Sequence, residues 1–157
     1  MRQYWTVLFY CGFNIAVARS GFTVVDLEGH SHSLSHYSGK WVVVNFWATW
    51  CSTCVAEIPD FVAFHRAHYP KDAIVLGMDL DDEASDVEIR AFAKRHRMNY
   101  PLVRPTTEVL QVLGPVTGVP TTYLIDPNGY IAGHQVGPVT RSEIEGFIDQ
   151  YQYISKK

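Results

Sequence analysis

Apolar positions along this chain follow two spacings, one of strands and one of helices, and the order of the two sets the architecture. The stretch FTVVDLEGHSHSLSHY reads as a strand, a turn at Glu28-Gly29 and a second strand, an N-terminal β-hairpin. KWVVVNFWA is β-branched and aromatic with no polar alternation until Asn45, as a strand buried on both faces requires, so it is expected at the centre of a sheet. Over 52–69 the positions Cys54, Ile58, Phe61, Val62 and His65 recur at helical spacing, with Pro59 expected to kink the helix. AIVLGMDL is a second buried strand, and 85–97 a helix with Val87, Ile89, Phe92 and Ala93 as its apolar side. A short strand at YPLVR and a short helix at 108–113 follow. TTYLID and YIAGHQV form a hairpin across Pro127-Asn128-Gly129, and the chain closes with a helix over 141–153, with Ser142 as N-cap and Ile144, Phe147, Ile148 and Tyr151 buried. This order predicts an α/β fold with a central mixed β-sheet flanked by helices on both faces.

The first residues break from this pattern. Arg2 precedes the apolar run YWTVLFYCGFNIAVA, which ends in Ala16-Val17-Ala18, a small-x-small site of the kind a signal peptidase cuts. Residues 1–18 are therefore expected to be a signal peptide and 19–157 a single domain. The run is shorter than the roughly 20 apolar residues that span a bilayer, and Gly12 and Asn14 interrupt it, so an uncleaved membrane anchor is the second reading and an N-terminal strand the third. At 157 residues, 47% hydrophobic and 18% charged, the chain suits one globular domain and not two. A net charge of −3 supplies no basic field for nucleic acid.

Cysteine usage then points to chemistry. Cleavage after Ala18 removes Cys11 and leaves one pair, Cys51 and Cys54, an arrangement suited to an oxidising compartment where a spare thiol invites wrong disulfides. The loop such a pair closes is too small for a general structural staple. Trp50-Cys51-Ser52-Thr53-Cys54 lies where a buried strand meets a helix, so Cys51 is expected at a helix N-terminus, where unpaired N–H groups and the dipole favour a thiolate. Three-residue spacing brings Cys54 onto the same face. Cys51 is thus expected to be the exposed nucleophile and Cys54 the resolving thiol beneath it. The alternatives are half of a zinc site, for which no second C-x-x-C exists, or a structural disulfide.

VVNFWATWCSTCVAEIPDF resembles the active-site segment of the thioredoxin superfamily, in its TlpA/ResA/CcmG-like extracytoplasmic branch, and GVPTTYLIDPNG resembles the second half of that site. The likeness runs from about Phe22 to the last helix. It implies a thioredoxin fold with an N-terminal β-hairpin and a central βα insertion over about 73–113. It also implies dithiol–disulfide exchange at Cys51 and Cys54 with no cofactor and no metal. Pro120 matches a cis proline that faces the cysteine pair; a cis bond leaves the backbone of Val119 free to hold an extended substrate segment. The implied partners are protein thiols or disulfides, with apocytochrome c and copper-site proteins as family-level examples, and a membrane thiol electron donor. The implied direction is reduction, the expected state a monomer and the expected place the bacterial periplasm.

Two departures from the cytoplasmic thioredoxins stand out. Asn45 occupies the place of their buried aspartate, and Ser52-Thr53 replaces Gly-Pro between the cysteines. Asn45 cannot accept a proton, so acid–base work passes to Glu57, one turn beyond Cys54 and matching the acid of the branch's E-x-P segment; the alternative for Glu57 is a surface acid favourable near a helix start. Trp50 offers apolar contact to a partner, and Trp47 either shields the site or belongs to the core. HSHSLSH places His30, His32 and His36 along one strand face, which reads as a wet hairpin in preference to a metal site. The acidic run 79–83 reads as a solvated loop. Rival functions are a peroxiredoxin-like peroxidase and a copper-binding or delivery module built on the two sulfurs.

Overall fold

The computed structural model describes residues 6–7 and 21–156. The expected leader, with Cys11 and the Ala16-Val17-Ala18 site, therefore lies outside the described residues except for Thr6–Val7, which form β1. Next come β2 (Thr23–Val25), β3 (Ser31–Ser33), a 3-10 turn at Leu34–Tyr37 and β4 (Trp41–Trp47). Helix α1 (Ser52–His68) leads to β5 (Ala73–Asp79), α2 (Asp86–Arg95), β6 (Leu102–Val103) and α3 (Thr107–Leu113). The hairpin β7 (Thr121–Ile125) and β8 (Ile131–Val136) precedes α4 (Arg141–Ser155).

Six strands form one mixed sheet in the order β1-β8-β7-β4-β5-β6, with β4 parallel to β5 and antiparallel to β7. All seven residues of β4 and of β5 are buried, which is why both read as apolar runs without polar alternation, Asn45 and Asp79 being their polar residues. On one sheet face a core of Trp47, Phe61, Phe64, Ile89, Phe92 and Ile144 joins α1, α2 and α4; on the other, Phe22, Leu34, Phe46, Leu76 and Val109 bring in α3 and the N-terminal hairpin. Gly77 of β5 is required by close approach, because a Cβ there would lie 2.8 Å from Leu102 Cδ2 and 3.1 Å from Tyr100 Cε2. Gly129, at φ +88°, turns the β7–β8 hairpin.

The structure corrects several local expectations. The N-terminal hairpin is a separate two-stranded sheet, and its second strand stops at Ser33, where the buried Leu34 turns the chain into the 3-10 segment. His32 is not wet: it is 8% exposed, with Nε2 2.8 Å from Asp26 Oδ2 and Nδ1 2.5 Å from Tyr37 Oη. Val87 is 68% exposed, since it lies two residues from Ile89 and so about 200° around α2 from the buried face of Ile89 and Phe92. Helix α4 is capped by Thr140 and not by Ser142: Thr140 Oγ1 accepts from the Glu143 amide while the Glu143 carboxylate accepts from the Thr140 amide. The pattern Thr-x-x-Glu for this capping box was present in the sequence.

Candidate active site

The sheet delivers the cysteine pair at the exit of its central strand. From β4 the chain turns through Ala48, Thr49, Trp50 and Cys51, closed by the Cys51 amide donating to the Ala48 carbonyl at 3.2 Å, and enters α1 at Ser52. Cys51 is the N-cap of α1, and its sulfur accepts the Cys54 amide at 3.2 Å, satisfying one of the helix's free donors. Cys51 and Cys54 are joined as a disulfide, their Cα atoms 5.2 Å apart. Cys51 is 7% exposed and Cys54 1%, so the first sulfur is the more accessible, yet both are largely covered and the expectation of an exposed Cys51 is too strong. Beside them Trp50 is 69% exposed, whereas Trp47 is core, 1% exposed and 5.4 Å from the Phe92 ring.

Val119 and Pro120 enter β7, and the Val119–Pro120 peptide bond is cis. The register pairing Thr121 with Phe46 sets Pro120 next to the end of β4, where the cysteine turn departs. The Pro120 carbonyl accepts the Gly137 amide at 2.8 Å, tying this strand entrance to the loop that leads into α4.

Glu57 is 3% exposed and so is not a surface acid. Its Oε1 accepts from Asn45 Nδ2 at 2.9 Å and its Oε2 from the Val139 amide at 3.0 Å; Asn45 Nδ2 also donates to Thr122 Oγ1 at 3.2 Å. No cation appears among these partners. Burial pushes the carboxyl up to about 7, against the pull of the Val139 and Asn45 hydrogen bonds. An acid that titrates near neutrality, one turn along the helix from a buried thiol, can exchange a proton with it.

Two features escaped the sequence reading. The run 79–83 is solvated only at Asp82 and Glu83: Asp79 and Asp81 are 2% and 4% exposed, Asp79 paired with Arg104 and Asp81 bonded to Thr49. His65, assigned nothing, is buried, accepts the Val75 amide at Nδ1 and is lowered to about 4 by burial. Alternation of charged residues in a turn carries no signal for the first. Helical spacing did place His65 on the apolar face, but not its role as an acceptor. Among the described residues no three His, Cys, Asp or Glu side chains group so as to hold a metal, and no helix is long and apolar enough to cross a membrane.

Residues 17–134 match the AhpC/TSA family. The chain is 33% identical over 128 residues to the thiol-disulfide oxidoreductase ResA of Geobacillus kaustophilus, covering 82% of this chain and 72% of that one. A thiol:disulfide interchange protein of the thioredoxin family from Chlorobium tepidum matches with a TM-score of 0.78 at 26% identity, over 89% of this chain and 99% of that one. The pneumococcal exposed lipoprotein thioredoxin of Streptococcus pneumoniae matches with a TM-score of 0.69 at 26% identity, over 83% and 98%. Cysteine pair, strand order and matched length agree, and the chain belongs to the AhpC/TSA family as a TlpA/ResA-like member of the thioredoxin superfamily.

Proposed function

We propose that this protein is a thiol–disulfide oxidoreductase that exchanges its Cys51–Cys54 pair with cysteines of other proteins, as a reductant, outside the cytoplasm. The observation that carries the reading is the disulfide at the first turn of α1, with one sulfur as the helix N-cap and a buried, neutral-range carboxyl one turn behind the other. In the reduced protein the Cys51 thiolate attacks one sulfur of a substrate disulfide; the other substrate sulfur leaves as a thiolate and takes a proton. Cys54 then gives its proton to the Glu57 carboxylate and attacks the Cys51 sulfur. The Cys51–Cys54 bond closes as the mixed disulfide breaks, and the second substrate sulfur leaves and is protonated. Two electrons pass from the pair to the substrate; the Cys54 proton, held on Glu57, goes to the second leaving sulfur, and the first leaving sulfur takes its proton from solvent.

Raising Glu57 to about 7 brings it closer to an ordinary thiol near 8.5, which lowers the cost of that proton transfer. The exposed Trp50 and the Val119–Pro120 strand entrance form the docking edge for an extended substrate segment. Protein disulfides are the substrate class, apocytochrome c and copper-site proteins being the branch's examples, and a membrane thiol protein is the electron donor. The location rests on the leader expected at 1–18 and on the likeness to an exposed lipoprotein thioredoxin. The test is trapping: Cys54→Ser should hold substrate proteins as reductant-sensitive mixed disulfides and Cys51→Ser should hold none. Equal trapping by the two variants would overturn the assignment.

A further inference from the structure

The β5–α2 turn, read from sequence as solvated, exposes Asp82 and Glu83 but buries Asp79 and Asp81 in a charged network tied to the cysteine turn. Arg104, which follows β6, lies with Nη1 2.8 Å from Asp79 Oδ2, an ion pair whose angle falls short of a hydrogen bond, and it donates to the carbonyls of Asp81 and Ala84. Asp79 Oδ1 accepts the Asp81 amide at 3.0 Å, and Asp81 Oδ1 accepts the amides of Glu83 and Ala84 at 3.2 and 3.1 Å. The remaining oxygen of Asp81, Oδ2, accepts the Thr49 hydroxyl. Thr49 is the second residue of the turn that the Cys51 amide closes onto Ala48, two residues before the nucleophile. Leu80, between the two acids, donates its amide to the Trp47 carbonyl at 2.9 Å, so the turn is held at its start as well.

We propose that Thr49, Asp79, Asp81 and Arg104 are positioning residues that fix the Cys51 turn and thereby favour the disulfide form of the pair, making the protein a stronger reductant. Two physical effects act in the same direction. A turn held in the geometry that brings the sulfurs together raises the effective concentration of one thiol toward the other, which favours ring closure. A carboxylate anchored two residues from Cys51 disfavours a second negative charge there, and it is the reduced form that carries the thiolate. The inference rests on the proposed exchange activity for its meaning. Its measurement does not, because equilibrium with glutathione reads the pair whatever its natural substrate.

Three variants separate the outcomes. Thr49→Val keeps the shape and removes the hydroxyl, Thr49→Ser restores it, and Asp81→Asn keeps the size and removes the charge. Titrating each against reduced and oxidised glutathione, Thr49→Val and Asp81→Asn are expected to shift the equilibrium about tenfold toward the dithiol, about 30 mV for a two-electron couple. Thr49→Ser is expected to return it to within about twofold of the parent. Thermal melting of the oxidised proteins is the companion measurement. Thr49→Val that melts lower but equilibrates with glutathione as the parent does would overturn the proposal and leave the network a structural one, as would a shift toward the disulfide. If the shift appears but no protein disulfide is reduced, the positioning role stands and the substrate reading fails.

Discussion

Two buried carboxylate sites flank the cysteine pair, and they are built in opposite ways. Behind Cys54, Glu57 is met only by an amide side chain and a backbone N–H, and burial raises it to about 7. Beside the Cys51 turn, Asp79 pairs with the Arg104 guanidinium, which also donates to the Asp81 carbonyl, and the two carboxylates accept a set of backbone amides. Asp79 is still raised by burial, to about 6, while the Thr49 hydroxyl and nearby amides hold Asp81 below the usual carboxylate range. Glu57, raised to about 7 with no cation beside it, stays close to its protonated form and can trade a proton; Asp81, held below the usual range by a hydroxyl and amides, stays charged and holds structure. Position in the fold, not residue type, separates a candidate proton acceptor from a clamp.

The largest test of this contrast removes what both sites serve. Cys51→Ser is expected to abolish disulfide reduction altogether, measured by turnover of a model disulfide, because no other described thiol starts a helix. Retained turnover would make the comparison of the two acids irrelevant to the chemistry.

Next in size, Glu57→Gln keeps the volume and removes the acid, and it is expected to slow resolution of the mixed disulfide by about a hundredfold, read by rapid quench. The same variant checks the titration. Burial raises Glu57 from 4.5 to about 7, so the protonated acid favours the fold. Its contribution, about 3 kcal/mol in all, is complete below pH 4.5 and is lost as pH rises through 7. The urea midpoint of the oxidised parent should therefore fall more between pH 5 and 8 than that of Glu57→Gln. Asp79 contributes a slope of the same sign to both proteins, so the difference between them isolates Glu57. Parallel curves would place Glu57 among ordinary ionised acids.

A smaller effect is expected at the clamp. Arg104→Met leaves Asp79 buried without its cation and should destabilise the protein by about 2 kcal/mol, the partial exposure of Arg104 reducing the full penalty of an unpaired buried charge. The loss should shrink below about pH 6, where Asp79 takes up a proton. Denaturant unfolding at pH 5 and pH 8 gives both numbers, and a loss independent of pH would remove the charge argument. The smallest change, Thr140→Ala, deletes the cap of α4 for about 1 kcal/mol and loosens the neighbouring Val139 amide that bonds Glu57. The Glu57 titration should move upward with it, followed by the pH dependence of thiol alkylation.

What the sequence determined by itself is the part governed by local chemistry and period. Apolar runs without polar alternation marked β4 and β5, helical spacing marked α1 and α4, Pro127-Asn128-Gly129 marked the last hairpin, and C-x-x-C at a strand–helix junction marked the reacting pair. Each of these signals is written within a few residues, because pleat, helix pitch and turn geometry are short-range constraints. The tertiary structure alone decided what surrounds the pair. Glu57 meets Asn45 from β4 and Val139 from the approach to α4, 82 residues away in sequence; Asp79 and Asp81 meet Arg104 from beyond β6 and Thr49 from the cysteine turn. A carboxylate in a sequence carries no mark of whether it will be buried, nor of whether a guanidinium or an amide will be waiting there. Its charge state is a property of the environment that distant segments assemble, and that environment exists only once the sheet has brought them to one edge.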